Sequence, residues 1–157
     1  MSESPLDRAK QTLSIRDVIL RGTVVEIGDG VITENLEPSE NNHIEAYRGV
    51  QDHHVNQVVW NGEDMWLYRF NYSIGIRLID GPEDEVIEEA SDVLVTILAE
   101  FEVCYYADKT MSVEECSAFS ENNVGYHVWP YWREYVQSTC QRIGMVPSFP
   151  VPVYILE

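Results

Sequence analysis

Chemistry would first be sought among the imidazoles and thiols: His43, His53, His54 and His127, and Cys104, Cys116 and Cys140. A nucleophilic thiol needs a neighbouring base and a third group to orient that base. Cys116 and His127 are the pair that could take the first two roles, and no third residue announces itself. There is no HExxH, and His53 and His54, adjacent in an extended segment, would point to opposite faces. The three cysteines are an odd number without CxxC spacing, so they are expected as reduced, buried thiols rather than a disulfide framework or a zinc site. The run "GPEDEVIEEASD" lacks the DxDxDG order and the closing glutamate of a calcium loop, and reads as a solvated face. Neither GxxxxGK[ST] nor GxGxxG is present. The residues therefore lead us to expect no enzyme, no metal and no cofactor, and any work on other macromolecules to run without nucleotide.

Charge narrows the partners. The 157-residue chain carries a formal net charge of -17, which repels phosphate backbones and anionic membrane surfaces. Nucleic acid is not expected as a partner; basic polypeptides are better candidates. No run approaches the roughly 20 apolar residues of a membrane span, so direct membrane insertion is not expected. "MSESPLDRAK" lacks the apolar stretch of a signal peptide, so the expected location is the cytoplasm.

The elements that must position these side chains follow from periodicity. One domain is expected over residues 1–157, with a flexible N-terminus over 1–13 and a long connection over 28–54, where periodicity is lost around Pro38. "IRDVILRGTVVEI", residues 15–27, is rich in β-branched residues with apolar side chains on both faces, and reads as a strand partly covered on each. Asn61-Gly62 between apolar runs predicts a tight hairpin. In its second arm Trp66, Tyr68, Phe70, Tyr72, Ile74, Ile76 and Leu78 alternate with polar residues, and Val93 to Tyr105 alternate likewise. Ser112 and Glu115 have capping-box spacing for a helix over 113–121. A second helix is predicted with Pro130 in its first turn and Gly144 at its end. Strands first and helices last make an α+β fold, with helices on one face of an antiparallel sheet.

One group of residues exceeds what a core needs. Trp129, Tyr131, Trp132 and Tyr135, followed by Phe149 and Tyr154, surround the last helix from several sides, and one buried stripe cannot hide them all. The surplus packs against another subunit or lines a groove for an apolar partner.

The segment "VWPYWREYVQSTCQRIGMVPSFPVPV" resembles the signature of the SecB export-chaperone family. In that family a Phe-Pro-Tyr-Ala-Arg-Glu run opens the last core helix, and an Arg-Gly turn, a proline and an Ala-Pro-Val follow. The matching residues are Pro130, Tyr131, Arg133 and Glu134, then Arg142, Gly144 and Pro147, then Pro152 and Val153, with Trp129 and Trp132 in place of smaller residues. Tyr154-Ile155 stands where the family has Asn-Phe, and the chain ends at Glu157 before the family's extra C-terminal helix.

The resemblance implies a SecB-like four-stranded antiparallel sheet with helices packed on one face, assembling as a dimer of dimers, a homotetramer. It further implies an ATP-independent holdase for unfolded polypeptides, which passes secretory precursors to the SecA motor. A close alternative is a dedicated SecB-like chaperone of an antitoxin in a toxin–antitoxin module, with the antitoxin as partner. A structural or adaptor oligomer, its aromatic helix wholly buried between subunits, is the non-chaperone alternative. The expected client groove takes Ile32, Leu36 and Tyr47 from the long connection, Val58 and Trp60 from the hairpin, and Trp129, Trp132 and Phe149 from the end.

Overall fold

The computed structural model describes residues 3–36, 41–82, 92–146 and 148–151. Its elements are helix α1 (Pro5–Thr12), strand β1 (Leu13–Ile27), a 3-10 turn (Thr33–Asn35), strands β2 (Asn42–Trp60), β3 (Glu63–Asp80) and β4 (Val93–Ala107), and helices α2 (Val113–Asn122) and α3 (Val124–Arg142). The strands form one antiparallel sheet in the order β1-β4-β3-β2. The architecture is α+β, as the separation of strands from helices predicts.

Local chemistry explains most boundaries. Asn61 and Gly62 both have positive φ, 50° and 79°, the conformation that closes a two-residue hairpin in step with strand twist. At α2 the Ser112 side chain accepts from the Glu115 amide while the Glu115 carboxylate accepts from the Ser112 amide, each at 3.1 Å, completing the expected capping box. Helix α3 ends in a Schellman arrangement: Met145 N–H donates to Cys140 O at 2.8 Å and Gly144 N–H to Gln141 O at 3.2 Å, with Gly144 at φ 75°.

Register sets which side chains meet the helices. Tyr68, Phe70, Tyr72, Ile74, Ile76 and Leu78 of β3 lie opposite Tyr105, Val103, Phe101, Ala99, Ile97 and Val95 of β4, and all are buried. Val124, Val128, Trp132, Val136 and Cys140, on one stripe of α3, close over this face together with Cys116 and Phe119 of α2. Arg69, Asn71, Ser73 and Arg77, with Glu100 and Glu102, occupy the other face.

Three boundaries differ from the reading of the sequence. The connection expected over residues 28–54 is shorter, because residues from Asn42 onward belong to β2. As an edge strand mostly exposed on both sides, this stretch needs no alternation, and its ladder with β3 determines it. The N-terminus expected to be flexible over 1–13 instead contains α1, capped by Ser4 on Asp7 N–H, with Ala9 buried in the core. Pro130 lies inside α3 rather than in its first turn: the helix starts at Val124, where Val124 and Val128 are fully buried. Proline costs the ladder the bond to the Tyr126 carbonyl, and burial of that first stripe outweighs the loss.

Cover on β1 is thin. Ile15, Ile19, Leu20, Val24, Val25 and Ile27 are each 38–50% exposed, although they divide between both faces of the strand. Bulges after Ile15 and Leu20 leave Arg16 and Arg21 outside the ladder.

Candidate functional site

Two recesses flank the helical layer. The first is a cleft of about 800 Å³ between β2 and α2, lined by Arg48, Val50, His53, Tyr68, Met111 and Cys116 among others. Tyr68 fastens its rim, since its hydroxyl accepts the Met111 amide at 2.7 Å. His53 stacks at 5.5 Å on Phe70 of the core. On the other side of this recess the β2 bulge after Val50 re-aims the strand.

The second is a hollow of about 800 Å³ along α3, whose apolar lining includes Ile15, Tyr126, His127, Trp129, Pro130 and Tyr131. Tyr126 and Tyr131 are 58% and 51% exposed, which is large aromatic area left in water. Pro130 has no amide hydrogen to give to the helical ladder at this point. Arg48, from the cleft, lies 5.3 Å over the ring of Trp129, from the hollow, so this cation–π pair stands between the two recesses.

Of the residues expected to form one groove, the structure brings only Trp129 into the hollow. Trp132 and Phe149 are 3% and 1% exposed and belong to the core of the single chain. Trp132 lies on the buried stripe three positions after Trp129, and after α3 the chain returns Met145 and Phe149 to the same core. Tyr47, Val58 and Trp60 project from the sheet face opposite the helices: Tyr47 covers Gly75, and Trp60 packs at 4.9 Å on Tyr106. Ile32 is exposed on the connection, and Leu36 packs half-buried against the core. Pro147, Pro152 and Val153 of the family resemblance lie outside the described residues.

Tyr126, Pro130 and Tyr131 were not among the expected groove residues. The signal for them was present, since the aromatic surplus around α3 has to leave some rings outside. Which rings those are depends on where the helix begins.

The titratable groups do not assemble a nucleophile. Cys116 lines the cleft and His127 the hollow. Burial pushes the Cys116 and Cys140 thiols up, and with the Glu102 carboxylate beside it Cys104 rises to about 11, so these sulfurs are held protonated. His127 Nδ1 lies 2.8 Å from the Tyr105 hydroxyl, and burial holds its imidazole below the ordinary range. Among the described residues no group of three His, Cys, Asp or Glu side chains is placed to hold a metal ion. What the hollow offers is apolar and aromatic surface with a polar rim, whereas the cleft mixes such side chains with Arg48, Asp52, Ser117, Ser120 and Glu121.

No family model matches the sequence, and no curated protein matches it. Among solved structures the chain is similar to a SecB-like chaperone from Mycobacterium tuberculosis, determined in complex with a peptide from an antitoxin. The TM-score is 0.61 with 16% sequence identity, over 96% of this chain and 96% of that one. This likeness is one of fold: the chain has the SecB-like four-stranded sheet with helices on one face. No helix among the described residues is long and apolar enough to cross a membrane.

Proposed function

We propose that this chain is a holdase chaperone of the SecB-like kind, not an enzyme, which binds unfolded polypeptide without nucleotide and serves one antitoxin as its dedicated client. The observation that carries the reading is the fold shared along 96% of both chains with a chaperone bound to an antitoxin peptide. The recesses fit it: rings left in water along α3 gain roughly 25 cal/mol for each Å² that a client covers, without sequence readout. The acidic excess keeps such a surface soluble and favours basic clients. In this reading the protein works in the cytoplasm as a homotetramer, with the thinly covered part of β1 from Ile19 to Ile27 as the surface that another copy would cover.

Precursor export with handover to SecA is the second reading. It is favoured by the face opposite the helices, where Glu26, Asp52, Glu100 and Glu102 would attract a basic partner segment. An adaptor oligomer without client binding is the third.

The test is capture of the tagged protein from its own host at low salt, with co-eluting polypeptides identified by mass spectrometry, beside suppression of aggregation of a denatured protein. One small partner together with suppression supports the dedicated chaperone. Many unrelated precursors with SecA would move export ahead, and self-association without suppression or hydrophobic-dye binding would leave the adaptor.

A further inference from the structure

His127 has a placement that client binding alone does not use. It is the one histidine lining the α3 hollow, and its ring also closes the seam where α2, α3 and β4 meet. From β4 it meets Tyr105, at 5.6 Å between ring centroids. From α2 it meets Phe119 at 6.5 Å, and on its own helix Tyr126 at 5.7 Å. Around the hollow the charged side chains are Arg133 and Glu134 of α3, beside Ile15 of β1 and Trp129, Pro130, Tyr131 and Gln137 of α3. None of the ion pairs among the described residues includes His127.

We infer that His127 is a proton-operated control on the α3 hollow: the neutral imidazole completes an apolar wall that accepts client side chains, and the imidazolium closes that wall to them. The consequence for clients rests on the function proposed above, whereas the proton linkage of the seam does not.

Hydrogen-bond bookkeeping gives the mechanism. Burial keeps Tyr105 a phenol, so its proton can be donated to Nδ1 of a neutral imidazole. When Nδ1 carries its own proton, the two groups present two hydrogens to one contact, and the phenol must turn to accept. The added charge then sits among Tyr105, Phe119 and Tyr126 with burial opposing it and, among the described residues, no carboxylate at ion-pair distance, which is the costly way to hold a cation.

The sign follows from linkage. His127 titrates lower in the folded chain than the 6.5 of a free imidazole, so the unfolded chain binds more protons as pH falls through that value. Stability at this seam is fully present above 6.5, falls as the pH drops from there, and levels off once the folded imidazole is also protonated.

Three readings on the full chain test the inference: the His127 ring titration by NMR, the thermal midpoint, and the affinity of a fluorescent unstructured apolar peptide with no group titrating in the window. The comparison runs from about pH 7.5 to about pH 5.0, because burial holds the folded imidazole below the ordinary 6.5. Peptide affinity is expected to weaken on acidification in step with the His127 titration, about twofold at half-protonation and further beyond it, and the thermal midpoint to fall with it. His127→Gln should remove both pH dependences, with His127→Phe as the second variant should the amide not fold, while His53→Gln in the other recess should retain them. Wild-type affinity unchanged over this range, or an equal drop in the His127 variant, overturns the inference. If the peptide binds at neither pH, the chaperone reading falls instead; the proton linkage of the seam then stands or falls on whether the acid shift of the thermal midpoint disappears in the variant.

Discussion

The two faces of the sheet are built from the same strands and do opposite things. Toward the helices, β3 and β4 present Tyr68, Phe70, Tyr72, Phe101, Val103 and Tyr105 in one packed, buried layer. Away from them, apolar side chains stand in rows between charged ones. Val24, Leu98 and Tyr47 run across the sheet through the gap left by Gly75, and the next row carries Glu26, Thr96, Arg77 and Glu45. The difference teaches that aromatic content alone does not locate a binding surface. Trp132 and Trp60 are both tryptophans in apolar company, yet one is core and the other rests half in water on Tyr106.

Trp132→Ala gives the largest expected break between the faces. Truncating a buried tryptophan costs about 3–5 kcal/mol, because the cavity adds to the lost transfer energy. The same change at Trp60 should cost less than about 1 kcal/mol, and chemical denaturation of the two variants measures the gap. Equal losses would mean that the second face is also covered in the assembled protein.

Gly75→Ala probes the row of apolar side chains. A Cβ at Gly75 would meet Leu98 Cδ2 at 2.4 Å and the Tyr47 ring at 2.5 Å, so both must shift. The expected cost is about 1–3 kcal/mol. Because Tyr47 is half-exposed and lies over the glycine, Tyr47→Ala in the same chain should return part of that loss, read as a non-additive pair in denaturant melts. Strict additivity would show that Leu98 alone sets the constraint.

The functional contrast is smaller. Trp129→Ala removes the ring that Arg48 covers between the two recesses and should weaken peptide binding by about 1–2 kcal/mol, roughly five- to thirtyfold in Kd. Trp60→Ala, on the other face, should leave peptide affinity within about twofold. Titration of a labelled peptide into both variants decides between them, and a larger effect at Trp60 would move the client surface to the uncovered face.

The smallest effect is expected for the pair Arg77–Glu45, 2.7 Å apart with both side chains about 40% exposed to solvent. A double-mutant cycle should give no more than about 0.5 kcal/mol, decreasing as salt is added.

How much of this was legible varies by residue. Ser112, Glu115, Asn61, Gly62 and Gly144 each act within a few positions of themselves, and each occupies the role its type predicts. The alternation from Trp66 to Leu78 identified the covered face of β3, because a central strand with one buried side must alternate. The first half of β2 was not legible, since an edge strand in water on both sides has no such requirement. Nor was the start of α3. Reading Pro130 as the first turn omits the turn and a half before it, and with it Tyr126 and His127, two of the residues that line the hollow.

The turn chemistry, the caps, the α+β order and the aromatic surplus near the end of the chain are written in local pattern, because each depends on neighbours within one turn or one strand. Where that surplus goes is set by packing. Trp129, Tyr131 and Trp132 differ by about 100° of helical phase per residue, so the docking of α3 on the sheet turns Trp132 into the core and leaves Trp129 and Tyr131 to line the hollow, Tyr131 half in water. The same docking sets His127 against Tyr105, 22 positions away, a contact between distant residues that no local pattern encodes.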